Sequence, residues 1–397
     1  MQNNQNTSNL QTFKEQVKNP NKIIPEKKKP LVPIKKNLVI AITSDYTGCG
    51  HIRNILPSLY SNAVFGSSGD MQIISTPTPI NDPDILKRTR SILFQRTMGN
   101  ASVVNLVTHF KELQRQFKYK LVYDIDDFIW DGPEDGEDIP EYNFGKNAIN
   151  DEVQQSAITI MKMMDIVTVS TQFLKDYIAT LGVDNSKIIV LHNTLPSFLW
   201  GNMDYTPKVK KITKPRILWS SSPTHWHDGQ KLYGDMDNAW REWVIKSVNE
   251  DKIEYIQMGG LPWFFEEIKD KITVIPWVNS LQYPGTIKSI RADIGIAPLV
   301  ANYFNYSKSA IKYQEYCISG IVGVGTVFSN GKTSPYDVSV NTATDDITVE
   351  EIDHMIFDVL CEPDMYNKVI QAQFDQVKNN GWTTESSQYV NLLTSIL

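Results

Sequence analysis

The chain has 397 residues, 41% hydrophobic and 21% charged, with a formal net charge of −6. Those proportions exclude global disorder, allow two domains with real cores, and give no overall pull toward nucleic acid or anionic membrane. Three widely spaced cysteines, Cys49, Cys317 and Cys361, exclude a disulfide framework or a CxxC zinc site. No apolar stretch nears the roughly 20 residues of a membrane span, and the first thirty residues lack a signal-peptide core. The expected setting is therefore cytoplasmic and reducing, with no integral membrane contact, and the expected state is a monomer.

Residues 1–36 read as a flexible basic arm. Lys27, Lys28, Lys29, Lys35 and Lys36 are interspersed with Pro25, Pro30 and Pro33, which prevent helix. Such an arm is either a solvated tail or a phosphate-contacting segment. The β-branched run 38–43 (LVIAIT) predicts a first buried strand ending at a Gly-bearing turn. There Gly48 and Gly50 flank Cys49, and Arg53 follows. Two glycines permit either close backbone approach to a ligand or a plain tight turn; Arg53 has the reach to meet a phosphate or an acceptor.

Apolar runs at 71–75, 91–95, 120–124, 166–170 and 188–191 predict further strands, with helix-length stretches at 100–116 and 151–164. The run VYDIDDFIW (122–130) sets Asp124, Asp126 and Asp127 at a strand end. Carboxylates packed there are costly unless capping, paired with arginine, metal-bound or engaged in chemistry. Residues 196–214, rich in lysine and carrying Pro196 and Pro207, read as a linker. A second strand series follows at 216–220, 253–258, 272–276, 294–298 and 321–326. After its first strand come Ser221 and then His225, Trp226, His227 and Asp228; the two histidines invite a zinc reading, but no third soft ligand is near in sequence. The aromatic stretches 240–243 and 262–265 read as packing. The fold class is therefore α/β, with two Rossmann-like domains (37–195 and 215–380) facing a central cleft. Ligands in such sheets bind outside the carboxyl ends of the strands.

The most informative stretch is 297–326. A strand ends at 298–299, a loop follows, and Ser307 or Ser309 is placed to cap a helix running to about 319. Gly320 stands where a helix end favours positive φ. Free N–H groups at the helix start, with Lys308 beside them, make a natural cradle for a diphosphate. Lys312 and Glu315 share one helical face. Glu315 can accept hydrogen bonds from both hydroxyls of a ribose, or simply pair with Lys312 at i,i+3.

The order PLVANYFNYSKSAIKYQEYCISGI (298–321) resembles the donor-binding region of retaining GT-B glycosyltransferases. KIIVLHNTLP (187–196, with Asn193), RILWSSSPTHWHDG (216–229) and IEYIQMGGLPWF (253–264) resemble the same group's passage between domains and the opening of its second domain. The resemblance implies a GT-B fold whose last segment, 381–397, is a helix crossing back to the first domain. It implies that Glu315 holds the ribose, that the loop–helix unit carrying Asn305, Ser307, Lys308, Ser309 and Lys312 binds the diphosphate, and that Gly48, Gly50, the loop after Ser221, and His225 or Asp228 approach the donor, with Arg53 in reach of it. Many members carry a second glutamate eight positions before the first; Ser307 stands there in this chain. Asp124, Asp126 and Lys308 become the catalytic candidates.

The expected reaction moves a sugar from a nucleotide diphosphate sugar, expected to be a UDP-sugar, to a hydroxyl with retention. No cofactor is required, and a divalent metal is not expected. The GCG-x-x-R turn, the DIDD strand end and SKS-x-x-K-x-x-EY resemble surface-polysaccharide enzymes and bacteriophage glycosyltransferases. Some of the phage enzymes modify hydroxymethylated bases, so duplex DNA carrying hydroxymethylcytosine is one expected partner, favoured by the basic arm. A saccharide acceptor is the other, favoured by the acidic net charge. A noncatalytic sugar-nucleotide-binding protein is the reading from outside the enzymes.

Overall fold

A computed structural model describes residues 35–46, 48–65, 69–130, 151–201, 203–222, 226, 239–337, 339, 341–379 and 395–396. Most of the basic arm, the His225–Asp228 cluster apart from Trp226, and most of segment 381–397 lie outside the described residues.

Nonpolar runs become strands where the sequence places them. The first series is β1 (Leu38–Ile42), β2 (Gln72–Thr76), β3 (Thr89–Gln95), β4 (Lys120–Ile125), β5 (Ile166–Val169) and β6 (Ile188–Val190). They form one parallel sheet in the order β2-β1-β3-β4-β5-β6. β1 shows why its run is unbroken rather than alternating. Leu38, Ile40 and Ile42 pack on one face with Phe94, Phe110 and Tyr123, while Val39 and Ala41 pack on the other with Met71, Leu93 and Val122. A strand covered on both faces needs apolar residues at every position. One cover is the helix α1 (Ala101–Phe117), started by the Asn100 side chain accepting from Ser102 N and ended by Lys118 in the left-handed region (φ 56°). α2 (Gln172–Thr180) is capped in the same way by Thr171.

The second series is β7 (Arg216–Ser220), β8 (Glu254–Met258), β9 (Thr273–Ile275), β10 (Ile294–Ala297), β11 (Val322–Val327) and β12 (Thr342–Thr344). Their parallel order is β12-β11-β10-β7-β8-β9. β12 carries no sequence signal; the three residues Thr-Ala-Thr are strand because they pair with β11. Strand order reverses between β1 and β3 in the first sheet and between β7 and β10 in the second, and such switch points open crevices at strand carboxyl ends. Near the chain's end, Ile396 is buried against Val39, Leu93 and Val122 of the first sheet, and Lys120 Nζ donates to the carbonyls of Ser395 and Ile396. Among the described residues, no helix is long and apolar enough to cross a membrane.

Candidate functional site

Three short helices build one wall of the site: α3 (Tyr283–Ile290), α4 (Tyr303–Tyr306) and α5 (Ile311–Ile318). α5 lies tight on the second sheet because two glycines admit two tyrosines. A Cβ on Gly295 of β10 would come within 2.6 Å of the Tyr316 ring, and one on Gly323 of β11 within 2.8 Å of Tyr313. Tyr316 Oη accepts from Ser220 N (3.0 Å) and donates to Ile296 O (3.1 Å). With Tyr313 and Tyr316 turned inward, the adjoining face of α5 points Lys312 and Glu315 at the cleft. Lys312 Nζ and Glu315 Oε2 pair at 2.8 Å, as the i,i+3 alternative requires. The sequence did not announce Tyr283, whose hydroxyl donates to Glu315 Oε2 (2.8 Å) and also meets Ser220 Oγ (2.7 Å) and Lys312 Nζ (2.8 Å). Burial, then the Glu315 charge, hold the Tyr283 phenol well above its ordinary value, so it stays a donor.

The helix start differs from the expected cap. α5 begins only at Ile311, and Ala310 before it supplies no side-chain cap. The preceding residues turn into the separate α4, capped by Asn302 through Asn305 N. This turns two expected residues away from the cleft. Asn305 is fully buried with its side-chain amide on Val300 O (2.8 Å). Ser307 is fully buried; its Oγ donates to Phe304 O (2.7 Å) and its carbonyl accepts from Thr171 Oγ1 (2.9 Å). Lys308 and Ser309 do face the cleft, Lys308 with Nζ 4.0 Å over the Phe304 ring. Gly320 ends the helix at φ 73°, as expected, where a Cβ would lie 2.4 Å from Asp204 O.

The opposite wall comes from the ends of β1, β3 and β4. In the Gly turn the glycines separate by role. A Cβ on Gly50 would lie 1.8 Å from Asp45 O, so its need is internal, whereas Gly48 lines the cleft with open space where a Cβ would be. Arg53 is turned away from the cleft. It is 5% exposed, pairs with Asp124 (2% exposed) at 2.5 Å, and donates to Leu191 O and Asn193 Oδ1 (2.9 Å). Thr168 Oγ1 donates to Asp124 Oδ1 at 2.6 Å. A buried guanidinium and carboxylate satisfy each other there because neither charge tolerates burial alone. Arg53 and Asp124 therefore hold the wall together rather than project from it.

Arg96, missed in the sequence, does project. Its φ of 45° follows β3 and carries the guanidinium to Asp127 Oδ2 (2.7 Å) and Cys49 Sγ (3.3 Å). Asp126 is buried in this wall, with Oδ1 lacking a hydrogen-bond partner among the described residues. Burial above all, then Asp127, raises its carboxyl from 3.8 to about 7, with Arg53 opposing. Cys49, Asp126 and Asp127 bring ligand atoms within 4.8 Å of one another, but Arg96 already supplies the positive charge at Asp127. Burial and the aspartates push the Cys49 thiol well up, keeping it protonated, and burial lowers His51, keeping it neutral at pH 7.

Between the walls lies a cavity of about 560 Å³, within the usual range for a ligand site. Ser221, Gly259, Trp277 and Asn193 are among the other residues that line it. Ser221 is held by Gln257 Nε2 on its Oγ (3.0 Å) and by close packing of Gly259, where a Cβ would lie 2.0 Å from Ser221 O. Charge is segregated. Among the described lining residues, the β1–β4 side carries Asp45, Asp126 and Asp127 against Arg96, and the α5 side carries Lys308 and Lys312 against Glu315. The two sheets join across an aromatic seam, with Tyr303 at 5.8 Å from Phe128 and 5.9 Å from Phe173, ring centre to ring centre.

No protein-family model matches the chain, and no curated protein matches it. Solved structures of HepE from Anabaena do share its backbone. The complex of HepE with UDP and glucose has a TM-score of 0.57 at 10% identity, covering 91% of this chain and 100% of that one. The complexes of HepE with UDP and with UDP-glucose give 0.55 and 0.53 at the same identity and coverage. Two six-stranded parallel sheets, each with a switch point opening on one shared cleft, give this chain the GT-B fold.

Proposed function

We propose that the protein transfers a glycosyl group from a nucleoside diphosphate sugar to a hydroxyl acceptor. The observation that carries this reading is the α5 wall, where Lys308, Ser309, Lys312 and Glu315 converge on one cavity. Two ammonium groups and a hydroxyl suit a diphosphate, and a carboxylate braced by Tyr283 suits the paired hydroxyls of a ribose. The likeness to HepE, solved with UDP and with UDP-glucose, makes a UDP-sugar the first donor to try. As the anomeric C–O bond breaks, negative charge grows on the diphosphate. Lys308 and Lys312 are then worth more than in the ground state, which is the condition for catalysis. Retention of configuration, implied by the sequence resemblance, belongs to this proposal.

For the acceptor, the charge of the β1–β4 wall favours a saccharide. Three aspartates facing one arginine suit neutral hydroxyls and oppose a polyanion such as DNA. Asp126, ionising near neutral pH, is poised to take a hydroxyl proton. The test presents UDP-, GDP-, ADP- and TDP-sugars with saccharides, hydroxymethylcytosine DNA and plain DNA, and reads labelled-sugar transfer and product anomer. Transfer to saccharides with the α-anomeric configuration of the donor kept is the expected result. Transfer confined to hydroxymethylated DNA would overturn the acceptor assignment, and tight donor binding with no transfer to anything would leave a binding protein.

A further inference from the structure

The cleft residues Asn193 and Ser309 lie on opposite sheets' sides of the molecule, yet a single hydrogen-bond chain joins them to the interior of the first sheet. Asp124 accepts from Arg53 through Nε (3.1 Å) and Nη2, which fixes the guanidinium. Arg53 Nη1 then meets Asn193 Oδ1 at 2.9 Å. A guanidinium has donors and no acceptor, so the atom facing it must be the amide oxygen, and the orientation of the Asn193 amide is not a free choice. Its NH₂ group therefore faces Ser309 Oγ, at 2.8 Å. An amide NH₂ only donates, so Ser309 Oγ is the acceptor in that bond and its own proton must point elsewhere. Ser309 Oγ makes no other hydrogen bond among the described residues, and Ser309 lines the cavity next to Lys308.

We propose that Asn193 is a positioning residue that makes the Ser309 hydroxyl an obligate donor toward an anionic oxygen in the cleft. This rests on the nucleotide-sugar reading, in which that oxygen belongs to the donor diphosphate. Polarity is passed from a buried carboxylate, through a guanidinium and an amide, to a hydroxyl on the other lobe. The anion site is thus oriented partly by the lobe opposite to the one that carries it.

The experiment separates polarity from support. In Asn193→Asp the new carboxylate still pairs with Arg53, so the variant is expected to melt at or above the wild-type temperature. Its other oxygen accepts the Ser309 proton and withdraws it from the ligand. UDP binding by calorimetry, with GDP, ADP and TDP alongside, should weaken about ten- to a hundredfold, the scale of a lost hydrogen bond to a charged group. Uridine, which lacks the phosphates, should bind Asn193→Asp as it binds wild type. In a Ser309→Ala background the same Asp substitution should cost clearly less. An unchanged UDP affinity in Asn193→Asp, or an equal loss with and without Ser309, overturns the inference. A wild type that binds none of the four diphosphates overturns the nucleotide-sugar reading instead, and this inference with it.

Discussion

Asp126→Asn tests the electrostatics of the cleft wall most directly. The Asp126 carboxyl is raised from 3.8 to about 7 by burial first and Asp127 second, with Asp124 adding and Arg53 and Arg96 opposing. The folded state thus holds this proton more tightly than the unfolded chain does. The group's contribution to stability is fully present below about pH 4, declines as pH rises, and is lost above about pH 7. At 1.36 kcal/mol per tenfold change in proton affinity, that interval corresponds to about 4 kcal/mol. Asparagine has nearly the same shape and never ionises. The variant should match wild type at pH 4 and exceed it at pH 8 by an amount on the order of 4 kcal/mol. Urea unfolding at pH 4, 6 and 8 measures the gap. A gap that does not change with pH, or a variant less stable than wild type at pH 8, would refute the reasoning.

Breaking the buried pair with Arg53→Met should destabilise by about 3–5 kcal/mol, because Asp124 is left buried without its cationic partner, and adding Asp124→Leu should restore most of the loss in urea melts. Tyr283→Phe removes the hydroxyl shared by Glu315, Ser220 and Lys312; about 1–3 kcal/mol of stability should go, and calorimetry should show weaker UDP binding. Glu315→Ala should weaken UDP binding while uracil binding is spared, and equal affinity for UDP would remove Glu315 from the site. Gly50→Ala should cost about 1–3 kcal/mol through the clash with Asp45 O, whereas Gly48→Ala should stay within about 0.5 kcal/mol, both read by urea unfolding.

Much of the architecture was legible because burial on both faces of a parallel sheet leaves an uninterrupted signal. The β-branched run LVIAIT (38–43) predicts a strand and β1 forms at Leu38–Ile42, and β7 forms at residues 216–220 as expected. Lys312, Glu315 and Gly320 were also legible, since helical spacing and a helix-ending glycine are local properties. Ser307 and Asn305 were misread for a local reason too: a serine before a helical run resembles a cap, and nothing in the run tells that the chain makes a separate turn at 303–306.

Arg53 and Asp124 show where local reading stops. Their residue types fit a phosphate contact and a catalytic acid equally well, and only folding brought these residues, 71 positions apart, together as a buried pair. Tyr283, Arg96 and the Asn193–Ser309 bond carry no signal within any window of sequence, because each acquires its meaning from a partner on another element. Periodicity, turn chemistry and helix ends depend on neighbours a few residues away, so the amino-acid order by itself determined the two strand series apart from β12, and the body and end of α5 but not its start. The charge state of Asp126, the direction of the Ser309 proton and the division of the cleft into acidic and basic walls depend on distance and desolvation across the fold. Those only the tertiary structure decided.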